Sequence, residues 1–123
     1  MQPAVLLAVA AAGALGAVAR YLALFAARSW FEAPIVGIAV INVLGCFGFG
    51  CVWSLGFQGR WSPLVATAVL AGFFGAFTTF SSFAFDCHEL WLQKRVDLLL
   101  LNAAAQNVLG FAAMWAGIRL AQG

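Results

Sequence analysis

Four apolar stretches, Ala4–Phe25, Ile35–Leu55, Leu64–Phe85 and Leu98–Ile118, take up most of the sequence. Each holds about 20 residues, the length an α-helix needs to cross ~30 Å of hydrocarbon. Lipid offers no water to an exposed backbone, so a crossing segment must satisfy its own N–H and C=O groups, which a helix does. The chain is therefore read as one all-α domain over residues 1–123, a multi-pass integral protein of the cell membrane that crosses the lipid bilayer four times.

Composition agrees with this reading. Of the 123 residues, 65% are hydrophobic and 8% charged, against about 25% charged in soluble domains, and the mean hydropathy is +1.02. The charges are Arg20, Arg28, Glu32, Arg60, Asp86, Glu89, Lys94, Arg95, Asp97 and Arg119, and only Arg20 falls within an apolar stretch. A net charge of +2 without a Lys/Arg cluster argues against a nucleic-acid partner. Pro34 and Pro63 sit just before the second and third stretches, where a helix accepts proline. The connections Ala26–Pro34, Gly56–Pro63 and Asp86–Asp97 are short, with no sign of a linker or second domain. No basic residue precedes Arg20, so the first stretch reads as a span rather than a cleaved signal. Trp30, Trp53, Trp61, Trp91 and Trp115 all lie near expected helix ends, as interfacial aromatics do.

Four spans place both termini on one side, with Arg60 and Arg119. Arg28, Lys94 and Arg95 lie on the other, joined by Arg20 if its side chain reaches that surface. This is a weak bias under the positive-inside rule, compatible with insertion in both orientations.

Little in the sequence suggests an enzyme. His88 is the single histidine and has no nucleophile arrangement around it. The cysteines, Cys46, Cys51 and Cys87, are odd in number and form no C-x-x-C pair; Cys46 and Cys51 read as buried small hydrophobes. Asp86-Cys87-His88-Glu89 matches no zinc spacing and reads as a solvated loop at the membrane edge.

Polar side chains within the stretches are more informative, because each is costly in lipid. They are Asn42 in the second; Thr67, Thr78, Thr79, Ser81 and Ser82 in the third; and Asn102, Gln106 and Asn107 in the fourth. With no carboxylate away from the span ends, a proton or cation path lacks its usual ligand. Neutral amide and hydroxyl donors suit an anion instead; ordinary helix packing is the alternative for each. Asn102 and Gln106, four apart, share a helix face, and with Asn42 they can form a polar file.

The segment from Gly72 to Phe83, GFFGAFTTFSSF, is a poor helix interior, with two glycines and paired threonines. The third helix is expected to break near its middle. Phe80 and Phe83, three apart, share a face, and their electropositive ring edges can meet an anion without a formal charge; simple packing is again the alternative. For Arg20, three roles stay open: snorkelling to the interface, drawing anions into a vestibule, or capping helix-end carbonyls. A conduit is hard to fit within four helices packed on their own side chains, so a path between subunits is favoured. The small pairs Gly13/Ala17 and Cys46/Gly50 would let helices approach closely.

GAVARY at Gly16–Tyr21, NVLG at Asn42–Gly45 and GFFGAFTTFSSF at Gly72–Phe83 together resemble the small fluoride channel family, Fluc or CrcB. The resemblance covers essentially the whole chain. It implies a passive channel that exports fluoride and so relieves its toxicity, built as a dual-topology homodimer of two antiparallel subunits. Two fluoride pores would run along the subunit interface, and a structural Na+ would sit at the dimer centre. By motif, Phe80 and Phe83 would face fluoride, Asn42 would be the pore asparagine and Arg20 the vestibule arginine. Ser81, Ser82, Asn102 and Gln106 would complete the polar pore lining, and the backbone carbonyls of Gly75 and Thr78 would hold sodium. The fourth helix departs from the pattern: members often carry tyrosine, then serine four residues on, then glycine. Gly110 fits, but Asn102 and Gln106 replace the first two. A small multidrug transporter, also four helices and dual topology, would need a glutamate in the first span, which holds only Arg20. A non-conducting structural subunit would leave the break in the third helix unexplained.

Overall fold

The computed structural model describes residues 2–29 and 34–123. Trp30 and Glu32 lie outside the described residues, as does part of the first connection. The described chain is helical: α1 (Pro3–Ala27), α2 (Pro34–Phe57), α3 (Pro63–Thr67), a π-helical stretch (Ala68–Phe74), α4 (Gly75–Phe77), α5 (Phe80–Leu92) and α6 (Val96–Gln122). Four units are long and apolar enough to cross a membrane: α1, α2, the composite Pro63–Leu92, and α6. The four spans read from the sequence are all present.

The ends follow from local chemistry. Pro34 and Pro63 open their helices as expected, and Ser62 caps the second of these, its Oγ accepting from the Val65 N–H at 3.3 Å. At the end of α2, Gly59 adopts φ +70°. That lets its N–H and that of Arg60 reach back to the carbonyls of Gly56 and Leu55, each at 3.0 Å, the double bond of a Schellman ending.

The third span differs most from expectation. It continues to Leu92 rather than stopping at Phe85, which puts Asp86-Cys87-His88-Glu89 on helix α5 and not in a loop. The three-residue turn Gln93–Arg95 replaces the longer expected connection. Lys94 occupies left-handed space there, at φ 59°, and its N–H and that of Arg95 bond back to Trp91 and Leu90. The helix stops where its last carbonyls are closed off by this turn, beyond Asp86–Glu89, and not at the acidic residues themselves.

Within that span the chain is interrupted at Thr78–Thr79, with extended dihedrals of φ −80°, ψ 157° and φ −149°, ψ 111°. Both threonines serve the interruption. Thr78 Oγ1 donates to the Phe74 carbonyl at 2.9 Å, and Thr79 Oγ1 accepts from the Ser82 N–H at 3.2 Å, capping α5.

α2 and α6 form the most extensive helix pair, and α1 lies on the π-helical stretch and α4. Backbones meet directly in both places: a Cβ on Gly16 would strike the Phe73 carbonyl, and one on Gly50 the Met114 carbonyl. Cys46 lies beside Gly110. The Cys46/Gly50 pair thus serves contacts within the chain, between α2 and α6. On α1 the tightest approach belongs to Gly16, between Gly13 and the exposed Ala17. Cys46 and Cys51 are half-buried rather than buried. Large apolar residues along α1, among them Leu7, Leu15, Tyr21 and Phe25, point away from the chain.

Candidate functional site

The interruption at Thr78–Thr79 is stabilised from two sides. From α2, the Asn42 side chain receives the Thr79 N–H at Oδ1 (2.9 Å) and donates from Nδ2 to the Thr79 carbonyl (3.2 Å). In a continuous helix the Thr79 N–H would donate to the Gly75 carbonyl, so this bond deprives that oxygen of its helical donor. From α1, Arg20 Nη1 donates to the Thr78 carbonyl at 3.3 Å. Of the three roles left open for Arg20, this is helix-end capping.

Asn42 also joins the fourth span. Its Nδ2 donates to Gln106 Oε1 at 2.8 Å, and Gln106 Nε2 donates to Asn102 Oδ1 at 3.0 Å. Asn102 Nδ2 lies 3.6 Å from Cys87 Sγ on α5. Asn102 and Gln106 are both 8% exposed and Thr79 is 7% exposed, so each would be costly without partners. The three amides expected to form a polar file are in direct contact, which follows from the four-residue spacing on α6 and the position of Asn42 opposite.

Beside this file lies a groove of about 230 Å³, open at the surface of the chain. Asn42, Gln106, Thr78 and Thr79 contribute its polar wall, and Phe80 and Phe83 an aromatic one. The two rings are 5.5 Å apart, inclined by 49°, and Phe80 is 79% exposed. Among the described residues, no carboxylate lines the groove. The N-terminus of α5 begins at the same place, contributing the positive end of its helix dipole.

Not all of the expected site residues meet the groove. Ser81 and Ser82 are not among its lining residues, and their hydroxyls lie 3.1 and 3.0 Å from Thr79 Oγ1. Arg20 works from the α1 side of the break, and Gly75 is exposed. Among the described residues, no group of three His, Cys, Asp or Glu side chains is placed to hold a metal. Thr79 was counted from sequence among the polar residues of the third span but not as a site residue, although it links Asn42, Ser81 and Ser82. The available signal was Thr79 itself, an N-cap residue type next to a second threonine inside an apolar run. Cys46 and Asn107 also line the groove, and nothing in their spacing marked them.

Residues 7–118 match the model of the family described as CrcB-like protein, Camphor Resistance (CrcB). The chain belongs to the CrcB family. Among its curated CrcB relatives is the fluoride-specific ion channel FluC of Solidesulfovibrio magneticus, 42% identical over 122 residues, with 91% of each chain covered. The protein of the same name from Desulforapulum autotrophicum is 46% identical over 120 residues, again with 91% of each covered. That from Nitratidesulfovibrio vulgaris is 41% identical over 121 residues, covering 96% of this chain and 95% of its own.

Proposed function

We propose that this CrcB-family chain is a passive, fluoride-selective channel that lets the toxic anion leave the cell down its electrochemical gradient. The observation that carries the reading is the groove at the Thr78–Thr79 break. It combines a helix N-terminus, two phenylalanine rings and a file of neutral amides, with no carboxylate among the described residues that line it. Each of these favours a small anion over a cation. The names of the curated relatives supply the identity of the anion. Phe80, Phe83, Asn42 and Gln106 are assigned to the pore, Asn102, Ser81 and Ser82 to its support, and Arg20 to holding the break and making its surroundings more positive.

The channel is read as an antiparallel homodimer. The groove is open along one side of a single chain, so a second copy is needed to enclose an ion path, and the nearly balanced positive charges suit insertion in both orientations. A structural Na+ is assigned to the dimer centre. The residues fit it in part: Gly75 offers a carbonyl relieved of its helical donor, whereas the Thr78 carbonyl already accepts from Arg20. A two-fold partner would bring a second set of the same carbonyl oxygens to such a cation.

The test is purified protein in liposomes under a voltage clamped by a potassium ionophore, with fluoride and chloride electrodes read side by side. Rapid fluoride loss with chloride retained supports the channel. Comparable chloride loss, or no anion movement, overturns it.

A further inference from the structure

The side-chain amides beside the groove are joined in a single direction, and a backbone group sets that direction. The Thr79 N–H can only donate, so the Asn42 atom 2.9 Å from it must be the acceptor, Oδ1. Asn42 Nδ2 therefore faces Gln106, whose nearer atom must accept, which turns Gln106 Nε2 toward Asn102 Oδ1. Asn102 Nδ2 is left on Cys87 Sγ. One main-chain donor thus fixes three amides.

The consequence for an anion lies in which N–H groups remain. Asn42 Nδ2 carries two hydrogens, and both have protein acceptors, the Thr79 carbonyl and Gln106 Oε1. Gln106 Nε2 has one acceptor, Asn102, and its second hydrogen has none among the described residues. Gln106 lines the groove while only 8% exposed, so water competes weakly for that hydrogen. Asn107 also has a second hydrogen to offer, but its side chain is exposed and anchored to Ala103. Bonds aligned donor to acceptor also polarise one another, which strengthens the donor in the chain.

We infer that Gln106 is the side chain that donates to the anion in this groove, and that Asn42 is a positioning residue acting through it. The assignment rests on the channel reading above. It gives separate tasks to two residues that the sequence reading placed together in the pore lining.

A double-mutant cycle on fluoride efflux from liposomes tests it. Gln106→Met keeps side-chain length and removes the donor, and is expected to slow efflux roughly ten- to a hundredfold, the worth of a hydrogen bond to a charged group. Asn42→Ala is expected to slow it as well. In the Gln106→Met background, Asn42→Ala should slow efflux by clearly less than it does alone, because Asn42 then has only the Thr79 break left to hold. Effects that multiply, or a wild-type rate in Gln106→Met, would overturn the assignment to Gln106 while leaving the channel intact. No efflux through the unmodified protein would overturn the channel reading itself. Should Asn42→Ala fail to reconstitute, Gln106→Ser decides the matter: serine keeps a hydroxyl donor and should conduct faster than methionine. Equal rates for the two would overturn the inference.

Discussion

Asn42 bonds both the N–H and the C=O of Thr79, replacing with one side chain the two backbone bonds that an unbroken helix would have made there. The break and the amide file are therefore one structure. Asn42→Leu would strand the Thr79 N–H, the Thr79 carbonyl and Gln106 Oε1, at about 1–3 kcal/mol for each buried group left unpaired. A clear drop in the thermal unfolding temperature of the detergent-solubilised protein is expected, together with loss of fluoride efflux. An unchanged unfolding temperature would count against this view of the break.

Phe80→Ile and Phe83→Ile should each reduce fluoride efflux with little effect on the amount of folded protein. Isoleucine keeps apolar bulk but has no positive ring edge, and Phe80 buries little of itself within the chain. Liposome efflux beside a size-exclusion profile checks both halves. Wild-type efflux in both variants would reduce the pair to packing.

Gly16→Val should prevent correct folding, because a Cβ there meets the Phe73 carbonyl rather than a movable side chain. The same change at Gly13 should be milder, since a Cβ there would sit 3.7 Å from the Gly72 carbonyl oxygen. Yield of monodisperse protein measures the contrast, and equal yields would contradict the packing of α1.

Much of this was legible in the sequence, and the reasons are physical. Span number follows from run length, the break from Gly72, Gly75 and the paired threonines, and the amide file from the spacing of Asn102 and Gln106. The π-helical stretch was not legible, because AVLAGFF is apolar throughout and has no polar residue to reveal its period. The role of Thr79 was hidden because threonine in a membrane helix usually bonds its own backbone; here extended dihedrals free its N–H for Asn42. Small residues marked close contact correctly at Gly50, but spacing alone could not say that the partner was α6 of the same chain.

C-terminal tags should be accessible from both sides of the membrane in roughly equal amounts, given the weak charge bias. Adding lysines next to Arg119 should drive the chain to one orientation and, if the working unit is antiparallel, abolish fluoride efflux. Undiminished efflux from a uniformly oriented population would rule that assembly out.

Gly75→Val should impair dimer assembly before it alters anion selectivity, if the carbonyl freed by the Thr79–Asn42 bond helps to hold a central sodium ion. Crosslinking yield compared in sodium and in N-methylglucamine buffers reads this directly. Identical yields in the two buffers, for the unmodified protein, would remove the cation from the assembly.

The π-helical stretch also gives the third span slack. Its hydrogen bonds reach five residues back instead of four, so Ala68–Phe74 holds more residues per turn than an α-helix of the same length. A one-residue deletion there can be absorbed by relaxing to α geometry, leaving Phe80 and Phe83 on their face. A deletion just beyond Thr79 has no such reserve and turns everything after it by about 100°. The two halves of one apolar span therefore differ in their tolerance to changes in length, and the boundary between them lies at the break.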